Sequence, residues 1–310
     1  MIIFIQYLKD YFRKISIFRF VINSLFVGSL IWLNYQYGIE THLISIHPWF
    51  LSLFLLYLLY LIVYLTSWLI TSNWRSDNQI GSGKKRFGLA MLAPFVFAVK
   101  MIRWDFLKTW LEGFGYPWQS YWFIILEWPL KLVLILMVVW MIRKKIGVFK
   151  NSSMFSLSGF SFGKYLPLLL IMIPLVSIAA TRPDFLQSYP RAKNIAFVNA
   201  YSSNAFPWTF LFEFSYGLDF FSIEVFFRGL LVLIFSQLLG IGTILPMASF
   251  YCCVHFGKPA GECISSYFGG LVLGVIARRT NSLSGGLFLH LCVAYMMELG
   301  GVFGHLYLFR

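Results

Sequence analysis

The sequence predicts an all-α polytopic membrane bundle of eight or nine spans with an N-terminal interfacial helix, and three observations lead there. Hydrophobic residues make up 59% of the 310-residue chain and charged residues only 12%, with a mean hydropathy of +0.74. A soluble domain carries about 25% charged residues, so half that figure leaves too little polar surface to coat a globule in water. Several stretches also hold the ~20 apolar residues that cross a hydrocarbon core. Lys and Arg fall in short clusters flanking those stretches, as positive charge does in cytoplasmic loops. The net charge of +13 therefore reads as topology, and no nucleic-acid partner is expected.

The first element is "MIIFIQYLKDYFRK", where Ile, Phe and Tyr mix with Lys9, Asp10, Arg13 and Lys14. That pattern predicts a helix lying in the membrane interface. No small-residue cleavage site follows it, so no removable signal peptide is expected. Spans follow at about 15–37, 48–71, 88–102, 120–142, 163–180, 218–240, 243–257, 262–279 and 283–304. The third and seventh are short, which leaves the count at eight or nine. The N-terminal cluster, the loop with Arg75, Lys84, Lys85 and Arg86, and "RKKIGVFK" at 143–150 are all assigned to the cytoplasmic side. The expected location is the cell (cytoplasmic) membrane, multi-pass.

The one shift in composition is the polar, Pro-bearing stretch 181–205. It divides an anchoring part, 1–204, from a helical core, 205–310, within one membrane domain. Cys252, Cys253, Cys263 and Cys292 lie in or beside apolar segments without a Cys-x-x-Cys spacing, and ordinary packing is expected of them.

An ionisable group in a bilayer costs about 2.5–3.5 kcal/mol on insertion scales, so each one needs a reason. Glu127 and Lys131 stand four apart and are expected to pair across one helical turn. Glu224 and Arg228 in "SIEVFFRGLL" share that spacing but have company downstream. His255 ends the next apolar stretch in "SFYCCVHFGKP", Glu262 opens another in "AGECISSYFGG", and the last span carries His290 and Glu298. Glu can act as a base, and His as base, acid or metal ligand. A helical bundle can aim such groups into one cavity. The glycines of "FGGLVLGVIARRTNSLSGGLF" allow close helix approach. On the span bounds above, Glu224, His255, Glu262 and Glu298 fall toward the outer half of the membrane. His290 lies only about 10 Å from the inner end.

Glu-x-x-x-Arg-Gly, aromatic-x-x-x-His, and a His in a final span after G-x-x-x-R-x-T-x-S together resemble the CAAX prenyl protease and bacteriocin-processing (CPBP, or Abi) family of intramembrane endopeptidases. The resemblance runs from about Ser222 to Glu298. It implies hydrolysis of a peptide bond within the membrane by a water activated near the first Glu and first His. The second His would stabilise the oxyanion. The family pattern is Glu-Glu-x-x-x-Arg, Phe-x-x-x-His and His-x-x-x-Asn. Here Ile223 stands at the first Glu, Tyr251 replaces Phe, and Ala294 occupies the Asn position. The chain thus resembles a divergent branch with a single Glu in the first motif.

The expected catalytic set is Glu224, Arg228, His255, Glu262, His290 and Glu298, with Glu262 and Glu298 as candidate replacements for the missing carboxylate. Arg228 is expected to position Glu224. Zinc, if one is used, would take His255, His290 and Glu224. The expected partners are membrane lipid and a peptide or protein substrate. Two alternatives stand beside a protease: a CPBP-like scaffold or immunity protein that grips without cutting, and a proton-coupled transporter.

Overall fold

The computed structural model describes residues 2–71, 83–146, 154–157 and 160–308. Arg75 and Lys150, two of the charges that orient the expected spans, lie outside the described residues. Helices account for the described secondary structure, and in chain order they run α1 (Ile2–Lys14), α2 (Ile17–Tyr37), α3 (Ile39–Ser45), α4 (Trp49–Thr71) and α5 (Gly83–Met101). They continue as α6 (Phe106–Trp110), α7 (Trp118–Ile146), α8 (Phe162–Ala179), α9 (Pro183–Ser188), α10 (Val198–Tyr201) and α11 (Phe206–Glu224). A π-helical segment, Val225–Ile234, leads into α12 (Phe235–Leu239), α13 (Ile244–Cys253), α14 (Ala260–Thr280) and α15 (Ser284–Leu308). Among the described residues, six helices are long and apolar enough to cross a membrane: α2, α4, α7, α8, α14 and α15. Phe87–Met101 and Ile244–Cys253 are shorter apolar helices. The chain is a multi-pass membrane bundle, as its composition predicts.

Two span expectations need correction. The helix that opens the span placed at 218–240 starts twelve residues earlier, at Phe206, and is not among the six crossing helices above. The Pro, Glu and Gly of "FPWTFLFEFSYGL" read as connection, yet Pro207 sits in the first turn, where a missing N–H costs nothing. The same stretch is not one uniform α-helix, because 225–234 winds with π-type bonding. Residues 225–236 are buried on every side, so no polar–apolar period exists there to report the winding. The span placed at 243–257 ends at Cys253, and His255 lies in the turn beyond it.

The chain forms two compact units, each built from separated stretches. The first comprises residues 1–102, 141–159 and 226–284. Its centre is an aromatic cluster: Phe97 packs on Phe226 at 4.8 Å and Phe227 at 4.9 Å, and Tyr60 on Phe250 at 5.2 Å between centroids. All ten residues of α13 are buried. A polar network crosses this core. Asn23 donates to Ser249 Oγ (2.9 Å) and to the Tyr267 hydroxyl (3.0 Å), and Ser67 donates to Asn23 Oδ1 (2.6 Å). Buried polar groups satisfied in this way specify one packing of α2, α4, α13 and α14.

The second unit comprises residues 103–140, 160–225 and 285–310. Tyr121, Ile125, Ile195, Val198 and Phe212 form one core cluster, and Val176, Ala180, Phe185, Leu186 and Tyr189 another. The Ser215 hydroxyl donates to the Ile125 carbonyl (2.6 Å), and the Tyr295 hydroxyl to the Glu213 carbonyl (2.8 Å). Lys131 and Glu127 form the expected pair at 3.0 Å, and Glu127 also accepts the Trp104 N–H at 3.0 Å.

Candidate active site

The six candidate residues divide between the units: Glu224, His290 and Glu298 in the second, Arg228, His255 and Glu262 in the first.

In the second unit, α11 ends on Glu224 and α15 carries His290 two turns after its start. The structure brings these two together. His290 Nδ1 lies 2.9 Å from Glu224 Oε1, and the carboxylate is fully buried. An ionised Glu224 can only accept, so the shared proton then belongs to Nδ1 and Nε2 is the open nitrogen of the ring. Two further residues shape the pair. Phe220, one turn before Glu224 on α11, meets the imidazole edge to face at 4.9 Å. Gly286, one turn before His290 on α15, leaves the carboxylate its room. A Cβ there would stand 2.9 Å from Glu224 Oε2, closer than real Cβ contacts come.

The sequence expectation set these two residues at different depths, yet the bond places their side chains side by side. With its first residue at 206 rather than 218, the helix places Glu224 about 27 Å from its N-terminal end at 1.5 Å per residue. Glu224 therefore sits near the end of α11 remote from Phe206, level with His290 near the start of α15.

Glu298 has a different setting. Its carboxylate accepts the Arg191 N–H (2.9 and 2.7 Å to its two oxygens) and the Ala192 N–H (3.4 Å). These are the first amides of the 3₁₀ turn Arg191–Ile195. Glu298 thus ties the stretch after α9 onto α15.

In the first unit, the π-helical segment presents Arg228, fully buried, to the face of Tyr251, with the guanidinium carbon 4.3 Å from the ring centroid. Cation–π contacts of this kind strengthen when water is excluded. Tyr251 also serves His255. The His255 Nδ1–H donates to the Tyr251 carbonyl at 2.7 Å, and the two rings meet at 4.5 Å. A carbonyl cannot donate, so the proton of this bond is on Nδ1 and neutral His255 offers Nε2 as a basic nitrogen. One aromatic residue therefore holds both Arg228 and His255. Glu262 lies in the first turn of α14, where negative charge suits the helix dipole, 3.9 Å from Lys258 Nζ.

Among the described residues, no three His, Cys, Asp or Glu side chains gather to hold a metal ion. Of the expected zinc ligands, Glu224 and His290 belong to the second unit and His255 to the first. The four cysteines are free. Gly286 is among the glycines expected to allow close approach, whereas Phe220 and the role of Tyr251 are not part of the sequence expectation. Their i±4 spacing from Glu224, His290 and His255 was the available signal.

Residues 203–296 match the family model described as Type II CAAX prenyl endopeptidase Rce1-like. No curated protein and no solved structure matches the chain significantly. At the level of the family, the match indicates a CAAX-type intramembrane endopeptidase. The matched stretch is less than a third of the chain and contains Glu224, Arg228, His255, Glu262 and His290, but not Glu298. The motifs and the family model agree: over residues 203–296 the chain is similar to the Rce1-like CAAX prenyl endopeptidases of the CPBP family.

Proposed function

We propose that the chain is an intramembrane endopeptidase of the cytoplasmic membrane, hydrolysing a peptide bond of a membrane-associated substrate. The observation that carries this reading is the 2.9 Å bond between Glu224 and His290, buried and inside the matched stretch. A water oxygen attacks the scissile carbonyl carbon, and its proton passes to the Glu224–His290 pair. The C–N bond then breaks, and the same proton goes to the leaving amine, so one water is consumed per cut. The buried carboxylate orients the imidazole and fixes the nitrogen that it uses. The resemblance assigns His255 a share in activating the water, and its basic Nε2 has the chemistry for that. Arg228 and Tyr251 form the platform on which His255 is set. Glu262, paired with Lys258, and Glu298, holding two backbone amides, are assigned supporting roles. A prenylated C-terminal tail is the substrate class to test first, since the matched description names it.

The test uses the purified full chain in liposomes and a quenched peptide ending in S-farnesyl cysteine and three further residues. Glu224→Gln and His290→Ala should each lower kcat by about 10²–10⁴-fold, with thermal melting close to wild type. Undiminished cleavage by His290→Ala sinks the assignment. Ile223 and Ala294, in place of the family's Glu and Asn, favour one other reading, a scaffold that binds such a peptide without cutting it. Saturable binding with no product from the wild type selects that reading.

A further inference from the structure

The turn that follows His255 is gripped from the N-terminal part of the chain. Three successive backbone groups are taken by three side chains. The Phe256 carbonyl accepts Asn34 Nδ2 at 2.9 Å, the Gly257 N–H donates to the Glu40 carboxylate, and the Lys258 carbonyl accepts the Tyr35 hydroxyl at 2.5 Å. Glu40 and Asn34 are themselves joined, the Glu40 N–H donating to Asn34 Oδ1 at 3.0 Å. Gly38, with φ of 60°, makes the joint possible: its left-handed conformation ends α2 and folds α3 back so that Glu40 returns toward Asn34. Glu40 is only 3% exposed and Asn34 3%, and burying a carboxylate is costly without compensation. Gly257 is fitted to that carboxylate, because a Cβ there would collide with Glu40 Oε2. On the other side of the turn, His255 is fastened to Tyr251. The imidazole therefore has one anchor in its own helix and a second in α2–α3.

We propose that Glu40 and Asn34 are positioning residues that hold the Phe256–Lys258 turn and, through it, set the His255 imidazole. Neither lies in the stretch that matches the family model. The proposal rests on the reading above only for the part His255 plays in the reaction; the grip itself is geometric. Two conservative changes separate holding from bulk. Asn34→Asp keeps the acceptor for the Glu40 N–H but removes the donor to Phe256. Glu40→Gln keeps an acceptor for Gly257 but removes the charge facing Lys258. Glu40→Ala removes both.

The experiment records the histidine ring resonances of the full chain in detergent, with His255 assigned by its loss in His255→Gln, together with cleavage of the farnesylated peptide. Asn34→Asp and Glu40→Ala should displace the His255 signal while His290 and His305 stay in place. They should lower kcat about 10- to 100-fold, the cost of a small misplacement, with KM nearly unchanged, and Glu40→Gln should restore most of the kcat lost in Glu40→Ala. An unmoved His255 signal overturns the proposal. So does a displacement of all histidine signals with a matching fall in Tm, which marks a general loss of structure. If His255→Gln cleaves normally, the catalytic reading of His255 fails, and the resonances alone then decide the grip.

Discussion

His255 and His290 are both held at Nδ1, one by a backbone carbonyl and the other by a buried carboxylate, and each therefore faces its surroundings with Nε2. The two partners differ in consequence. A carbonyl can only accept and so fixes the tautomer, whereas a carboxylate also brings a formal charge to the ring. Gly286 is the residue on which the second arrangement depends. Gly286→Ala should push the Glu224 carboxylate off His290 and lower kcat at least about tenfold. Gly269→Ala is the matched control, because nothing lies within 4 Å of its Cβ position. It should leave kcat alone and add about 0.5–1 kcal/mol of helix stability. Equal kinetics for the two variants contradict the reading of Gly286.

At the scale of elements, α15 does two jobs along its length. Its first turns carry Gly286 and His290. Its later turns hold the stretch after α9, through Glu298 on the Arg191 and Ala192 amides and through His305, whose Nε2 lies 3.0 Å from the Leu186 carbonyl and 3.1 Å from that of Tyr189. Glu298→Ala leaves those amides without their acceptor, a cost of about 1–3 kcal/mol for a buried group. Amide exchange across residues 185–200 should then accelerate. Unchanged exchange there would return Glu298 to the pool of catalytic candidates. The helices were largely legible because their apolar runs are long, and α2, α4, α7 and α8 fall within a few residues of the expected bounds. The start of α11 was not legible, since Pro, Glu and Gly signal a connection wherever burial is unknown. The Glu224–His290 pair was half legible. Both residues stand out against hydrocarbon, but which carboxylate meets which imidazole depends on helix rotation, and sequence spacing does not carry that across two helices 66 residues apart.

For the whole molecule, the buried Glu40 makes stability depend on pH. Burial raises its pKa from 4.5 to about 7, opposed by Lys258 and by the Gly257 N–H, with Tyr60, Cys253 and Cys263 also facing it. The folded chain therefore holds this proton over a range in which the unfolded chain has released it. Stability from this group is complete below the unfolded value and declines as pH rises through about 7. Glu40→Gln cannot release a proton, so Tm should fall less between about pH 5 and pH 7.5 in that variant than in the wild type. Parallel Tm curves would show that Glu40 titrates alike in both states. The two units explain why such a distant residue matters, since α2, α3 and α4 belong with α13 and α14 despite some two hundred intervening residues.

That interleaving bears on any attempt to excise or graft the segment that matches the family model. Residues 203–296 contribute 203–225 and 285–296 to one unit and 226–284 to the other. A fragment cut out at those limits would strip Ser249 and Tyr267 of Asn23, and the Phe256 and Lys258 carbonyls of Asn34 and Tyr35. A transplantable cassette would have to include the first two membrane-crossing helices as well.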